Sequence, residues 1–166
     1  MKRIFLLFLL SIVSACGQTV TLKKNVGDTV TVAVKMETAE AHKFVGFDVS
    51  YPSAILTPVI ASGNAVAFVE GDVYAGKTFE TLCTLGNGVV VLSKVLKVGD
   101  PVVQSGTVAT VLFVCKAHGT GTISLSNMLS GYVGSGGTVT KYVGTVQPVS
   151  VELQEPGGVV FEIEVR

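Results

Sequence analysis

The sequence predicts an all-β domain, two antiparallel sheets packed face to face as a β-sandwich or jelly roll. Three observations carry that expectation. Val, Thr and Gly dominate the composition while Leu, Ala, Glu and Lys are modest, and β-branched residues suit pleated, half-buried surfaces. Beyond residue 18 apolar and polar residues alternate in short runs, the period of a strand. Gly, Pro, Asn and Asp separate those runs, leaving no room for crossover helices, so the strands must pair antiparallel and bury one face against a second sheet. A chain of 166 residues can bury roughly 70% of its unfolded surface, enough for one such core without a metal or disulfide staple.

The first element is a leader. Met1-Lys2-Arg3 precede the apolar run IFLLFLLSIVSAC, the layout of a secretory signal peptide over residues 1–15. The run is too short to span a bilayer, whose ~30 Å core takes about 20 apolar residues. It ends on Val13-Ser14-Ala15-Cys16, which resembles a bacterial lipobox, where the cysteine is diacylated before cleavage. The same small residues satisfy ordinary signal peptidase, which leaves free secretion as the alternative. Three cysteines leave an odd thiol in an exported chain, and lipidation of Cys16 removes it from the count. The expectation is a single domain over 16–166, exported and lipid-anchored at the cell envelope. Loss of Lys2 and Arg3 takes the formal charge from zero to −2. Such a surface has no basic footprint for nucleic acid, and it meets a membrane only through the anchor.

Past the turn Asn25-Val26-Gly27-Asp28, DTVTVAVKM places Val30, Val32, Val34 and Met36 on one side and Thr29, Thr31, Ala33 and Lys35 on the other. KFVGFDVSY (43–51) is next; with Tyr51 inward alongside Val45, Phe47 and Val49, the outward positions are Phe44, Gly46, Asp48 and Ser50. Strands at 54–60 and 64–70 follow, then 78–85 and 89–97. The latter two are joined at Gly86-Asn87-Gly88, where Asn and Gly tolerate the positive φ of a tight reversal. After Gly99-Asp100-Pro101, the run 106–116 puts Ala109, Val111, Phe113 and Cys115 on one side. Strands at 120–126, 137–146 and 149–154 come next, with SGYVGSGGT read as a Gly-rich loop. Pro156-Gly157-Gly158 reverses the chain into 159–165, where Phe161, Ile163 and Val165 alternate with Glu162, Glu164 and Arg166. No internal repeat, charge block or linker marks a second domain.

The order VGDTVTVAVKM…FVGFDVSYPSAILTPV, followed by NGVVVLSKV, SGTVATVLFVCKA and GTGTISLS, resembles the cohesin domain over roughly residues 19 to 153. The resemblance implies a flattened nine-stranded jelly roll that uses one sheet face to bind a dockerin module on another polypeptide. The sequence departs from the family's pattern in several places. Tyr51-Pro52 lacks the intervening Asp, Phe44 and Gly46 stand near positions where cohesins present polar side chains, LSKVLKVGD lacks an acidic cluster, and residues 155–166 run past the family's last strand.

Chemistry-bearing residues are sparse. His42 and His118 are 76 positions apart, each beside turn-like sequence, and read as exposed loop or strand-edge histidines. No Cys-x-x-Cys, His-x-x-x-His or EF-hand pattern occurs, so no metal is expected. GTGT and GSGG lack the Lys-Ser/Thr of a phosphate loop, and no cofactor is expected. Cys83 and Cys115 form a disulfide or remain buried thiols; the apolar alternation around Cys115 favours the second.

The leading expectation is therefore a non-catalytic protein-binding or assembly module. Its contact face centres on Phe44, Gly46, Asp48 and Ser50, helped by strands 64–70 and 89–97. One alternative is a carbohydrate-binding lipoprotein in which Tyr74, Tyr132 and Tyr142 form a small platform, there being no Trp. The other is a fibre or layer subunit whose edge strands pair between copies.

Overall fold

Period-two alternation sets which side of each strand is buried, and the computed structural model, which describes residues 19–134, 137–143 and 148–156, is built from strands throughout. In chain order these are β1 (Thr19–Lys23), β2 (Thr29–Met36), β3 (Phe44–Ser50), β4 (Leu56–Pro58), β5 (Ile60–Ser62), β6 (Ala65–Val66), β7 (Phe68–Glu70), β8 (Phe79–Gly86), β9 (Val89–Leu96), β10 (Gly106–Cys115), β11 (Gly119–Val133), β12 (Val139–Val143) and β13 (Val149–Gln154). The leader 1–15, Cys16 and the strand expected at 159–165 lie outside the described residues.

The larger sheet runs β1-β13-β11-β3-β9-β8-β6-β5, with β12 on the second half of β11; the smaller runs β2-β10-β4, with β7 also on β10. Every pairing is antiparallel except β1 with β13, which is parallel over five register pairs. The core lies between the sheets. Val30, Val34, Leu56, Val111 and Phe113 come from the smaller sheet, and Val45, Phe47, Val49, Val90, Leu92 and Leu153 from the larger. Tyr51 turns inward and its ring meets Phe113 at 5.3 Å between centroids. That orientation fixes the phase of β3. At the β8–β9 hairpin Asn87 and Gly88 have φ of 50° and 78°, the left-handed pair that matches strand twist in a two-residue loop.

Several segments differ from the sequence reading. Thr19–Lys23, not singled out from the sequence, is a strand because β13 offers it a parallel edge. The run 54–60 breaks at Val59, and 64–70 splits at Ala67, whose N–H donates to Val59 O at 2.7 Å. There the chain passes from the larger sheet (β6) to the smaller (β7). The first half of SGYVGSGGT is not a loop, since β11 continues to Val133 with β3 and β12 on its two sides. Gly131 permits this close approach, because a Cβ there would run into Thr140 O. The thirteen strands among the described residues also exceed the nine that the cohesin resemblance implies, because the edge elements β4 to β7 are short separate pieces.

One inward position of the larger sheet is charged. Lys94 on β9 is fully buried. Its Nζ donates to Glu70 Oε2 at 2.9 Å, to Gly71 O at 3.2 Å and to Val108 O at 3.3 Å, and it lies 4.2 Å above the Phe79 ring. All three ammonium protons thus meet acceptors near β7 and β10, tying the two sheets together. Thr81 Oγ1 donates to the same Glu70 oxygen at 3.0 Å.

Candidate functional site

β3 sits inside the larger sheet between β11 and β9, so its outward side chains lie at the middle of that sheet's solvent face. Register sets the rows around them. Phe44 stands between Gly131 and Val95, Gly46 between Leu129 and Ser93, and Asp48 between Ser126 and Val91. β8 extends the rows with Glu80, Leu82 and Thr84 opposite Val95, Ser93 and Val91. Directly opposed residues share a face, so Phe44, Leu82, Val91, Val95 and Leu129 make one apolar area interrupted by Gly46 and Ser93. Leu82 is 54% and Val95 44% exposed, and Phe44 is half-buried. Exposed apolar areas rimmed by polar groups mark interaction sites.

The rim is polar on both sides. Asn127 Nδ2 donates to Asp48 Oδ2 at 2.6 Å, held there by a bulge in which Asn127 (φ 51°) and Met128 together oppose Phe47. Lys97 pairs with Glu80 at 2.7 Å. Ser50 ends β3 opposite Ser124, outside the apolar rows. Of the helping strands, β9 supplies Val91, Ser93 and Val95, whereas 64–70 reaches this sheet only at its edge, where Ala65 faces Thr84. Leu82 and Leu129 were not picked out from the sequence. Leu82 and Cys83 are adjacent apolar residues, so only the burial of Cys83 in the structure sends Leu82 outward; Leu129 is hidden from the pattern because the bulge shifts its phase.

The three tyrosines do not form a platform. Tyr74 is fully buried with φ of 66°. Its N–H donates to Gln104 Oε1 at 3.1 Å, and its ring packs on His42 at 5.3 Å, so it offers no face to a sugar. Tyr132 and Tyr142 belong to strands rather than loops. The pairs Tyr132–Thr140 and Ser130–Tyr142 put both on the side of Val45, opposite to Phe44. Burial first, then the Glu40 carboxylate, pushes the Tyr142 hydroxyl up.

Other chemistry-bearing groups are dispersed. His42 is fully buried rather than exposed, because its backbone pairs with Val102 and draws the ring inward. Its Nδ1 lies 3.2 Å from Glu40 O, while its Nε2 and the Tyr74 hydroxyl have no partner among the described residues. His118 is exposed, with Nε2 2.9 Å from Lys24 O. Cys83 and Cys115 are both buried and free. They face Leu92 in the larger sheet and Leu56 in the smaller, so the disulfide expected as one alternative is absent. Burial pushes the Cys83 thiol up to about 11; burial and then Asp28 raise Cys115. A shallow cleft of about 360 Å³ beside β6 and β8 is walled by Ala61, Val66, Phe68, Leu82 and Cys83, with no acid–base pair in it. Among the described residues no three His, Cys, Asp or Glu side chains gather where they could hold a metal ion.

No protein-family model matches the sequence, and no curated protein does either. Solved structures do match. A non-cellulosomal cohesin from the archaeon Archaeoglobus fulgidus is 15% identical with a TM-score of 0.57, over 84% of this chain and 88% of that one. The seventh ScaB type I cohesin from Pseudobacteroides cellulosolvens is 12% identical with a TM-score of 0.63, over 89% and 95%. A chain of a type I cohesin–dockerin complex from Clostridium thermocellum is 12% identical with a TM-score of 0.60, over 84% and 91%. At these identities the likeness is one of fold: the chain folds as a cohesin-type β-sandwich.

Proposed function

We propose that this chain is a non-catalytic, extracytoplasmic binding and assembly module that docks another protein on the outer face of its larger sheet, with Phe44 at the centre. The carrying observation is the apolar area of Phe44, Leu82, Val91, Val95 and Leu129 in the middle of a solvent-facing sheet. A half-buried aromatic among aliphatic neighbours on a solvent-facing sheet is the kind of anchor that interfaces bury. The absence of convergent acid, base and nucleophile around the apolar cleft supports a surface-contact role. Because solved chains of this fold include members of cohesin–dockerin complexes, a dockerin-like module is the first partner to test. The carbohydrate reading loses Tyr74 to the core. Placement at the envelope rests on the leader 1–15 and on diacylation of Cys16, read from the sequence.

Calorimetric titration of the mature chain against dockerin modules from its own organism tests the docking. Phe44→Asp is expected to weaken binding about 30-fold or more, the loss typical of a central anchor. If the variant binds as the natural chain does, the face is wrong. Intact mass of the membrane-extracted protein tests the tether, with diacylglycerol on Cys16 expected and an unmodified amino-terminal cysteine overturning it.

A further inference from the structure

The fold does not require glycine at position 46. Its φ is outside the left-handed region, and a Cβ built there would lie 3.6 Å from Leu92 O and 3.8 Å from Ser93 Cβ, ordinary contact distances. Among the described residues only two strand glycines have neither a positive φ nor a clash, Gly46 and Gly86, and Gly86 is the last residue of β8 at the hairpin turn, which leaves Gly46 in a strand interior. Its row-mate two strand positions away, Gly131 opposite Phe44, is by contrast obligatory. A strand-interior glycine weakens its strand, and where the backbone does not need it, it marks a place where something approaches closely.

We infer that Gly46 floors a notch, walled by Phe44, Leu129, Ser93 and Asp48, that receives one aliphatic side chain from a partner helix whose neighbouring Lys or Arg meets Asp48. The inference rests on the docking reading above and specifies the partner's chemistry. Charge supplies the second half. Asp48 takes part in neither of the ion pairs found among the described residues, Lys94–Glu70 and Lys97–Glu80. Its one side-chain hydrogen bond among the described residues is from the neutral Asn127 amide, so a carboxylate with spare acceptor capacity borders the apolar rows. Spacing agrees. Two residues along a strand cover about 6.7 Å, close to the roughly 6 Å between side chains four apart on a helix. A helix presenting a Leu, Ile or Met and, one turn on, a Lys or Arg matches both features at once.

The test is an amide NMR titration of the mature chain with a stapled helical peptide carrying Leu and Lys four residues apart. Saturable shifts are expected on β3, β9 and the Leu129 region of β11. Gly46→Leu is expected to weaken binding at least about 10-fold and Gly46→Ala about 3-fold, as the notch fills progressively. Asp48→Asn should cost about 3- to 10-fold, with the gap closing at high salt. Spectra of the two Gly46 variants report their folding, and the smaller substitution serves if the larger unfolds. Saturable binding at this face that Gly46→Ala and Gly46→Leu leave within twofold overturns the notch while docking stands. Binding that Phe44→Asp does not change, or no shift on this face at all, overturns the docking reading itself.

Discussion

Glu70→Ala should destabilise the domain more than Lys94→Met, although the lysine is the fully buried partner. At 2.9 Å and an effective dielectric near 20, the attraction between the two charges is about 6 kcal/mol. The Glu70 side chain is 44% exposed, so water screens part of that, and desolvating the ammonium costs several kcal/mol. Removing Glu70 strands the cation with two carbonyls and the Phe79 ring, at a cost of about 2–4 kcal/mol. Replacing Lys94 with Met keeps the volume and lets Glu70 turn to water. The loss is then about 1–2 kcal/mol for the Gly71 and Val108 carbonyls left without a donor. The double variant should be no worse than Lys94→Met alone, a coupling of at least about 2 kcal/mol. Urea unfolding of the mature chain followed by far-UV circular dichroism measures this. With a slope of about 2 kcal/mol per molar, Glu70→Ala should lower the midpoint by 1 M or more. Effects of the two single changes that simply add, within about 0.5 kcal/mol, would refute the inter-sheet ion pair as a cooperative unit.

Gly46→Ala should raise stability by about 0.5–1 kcal/mol by removing glycine's unfolded-state entropy, read as a melting-temperature increase of a few degrees; a decrease would mean the position is strained after all. Cys83, with its thiol at about 11, should be about a hundredfold less ionised at pH 8 than an ordinary cysteine, so neither thiol should react with a disulfide reagent until denaturant is added; rapid labelling of the native chain would contradict their burial. Because burial raises the folded pKa of Cys83, Cys115 and Tyr74 above their unfolded values, deprotonation favours unfolding. Stability should hold below about pH 9 and decline as pH climbs toward 11, and a flat alkaline profile in thermal melts would count against that sign. Asn87→Ala should cost about 1 kcal/mol because alanine lacks the short polar side chain that lets asparagine adopt φ of 50° readily, with an unchanged midpoint as the contrary result.

Where one face of a strand is wet and the other buried, the sequence was enough. β2, β3 and β10 from Ala109 onward alternate, and their inward and outward residues follow at once, whereas Val108 and Ala109 are both buried at a register shift near the start of β10. Four features resisted it, each for a physical reason. The bulge at Asn127–Met128 reverses the phase of β11 partway along, so Leu129 cannot be assigned by counting from Leu125. β1 has a legible alternation of its own, but its partner is 131 residues away, a non-local pairing that local pattern does not contain. The inward Lys94 breaks the apolar rule of its strand because its acceptors come from the other sheet. Tyr74 and His42 lie in turn-like sequence, yet fill the core because their loops fold inward around Gln104 and Val102. The outward set on β3 was legible; the rows that complete it needed the register.

The side-by-side run of β1 and β13 in the same direction has a mechanical consequence. Tension applied between Thr19 and Gln154 pulls the two strands lengthwise past one another, so the bonds joining their five register pairs are strained in shear together instead of being peeled apart in turn. A domain hung from its amino-terminal side and loaded from its carboxyl-terminal side would therefore resist extension where its two terminal strands meet.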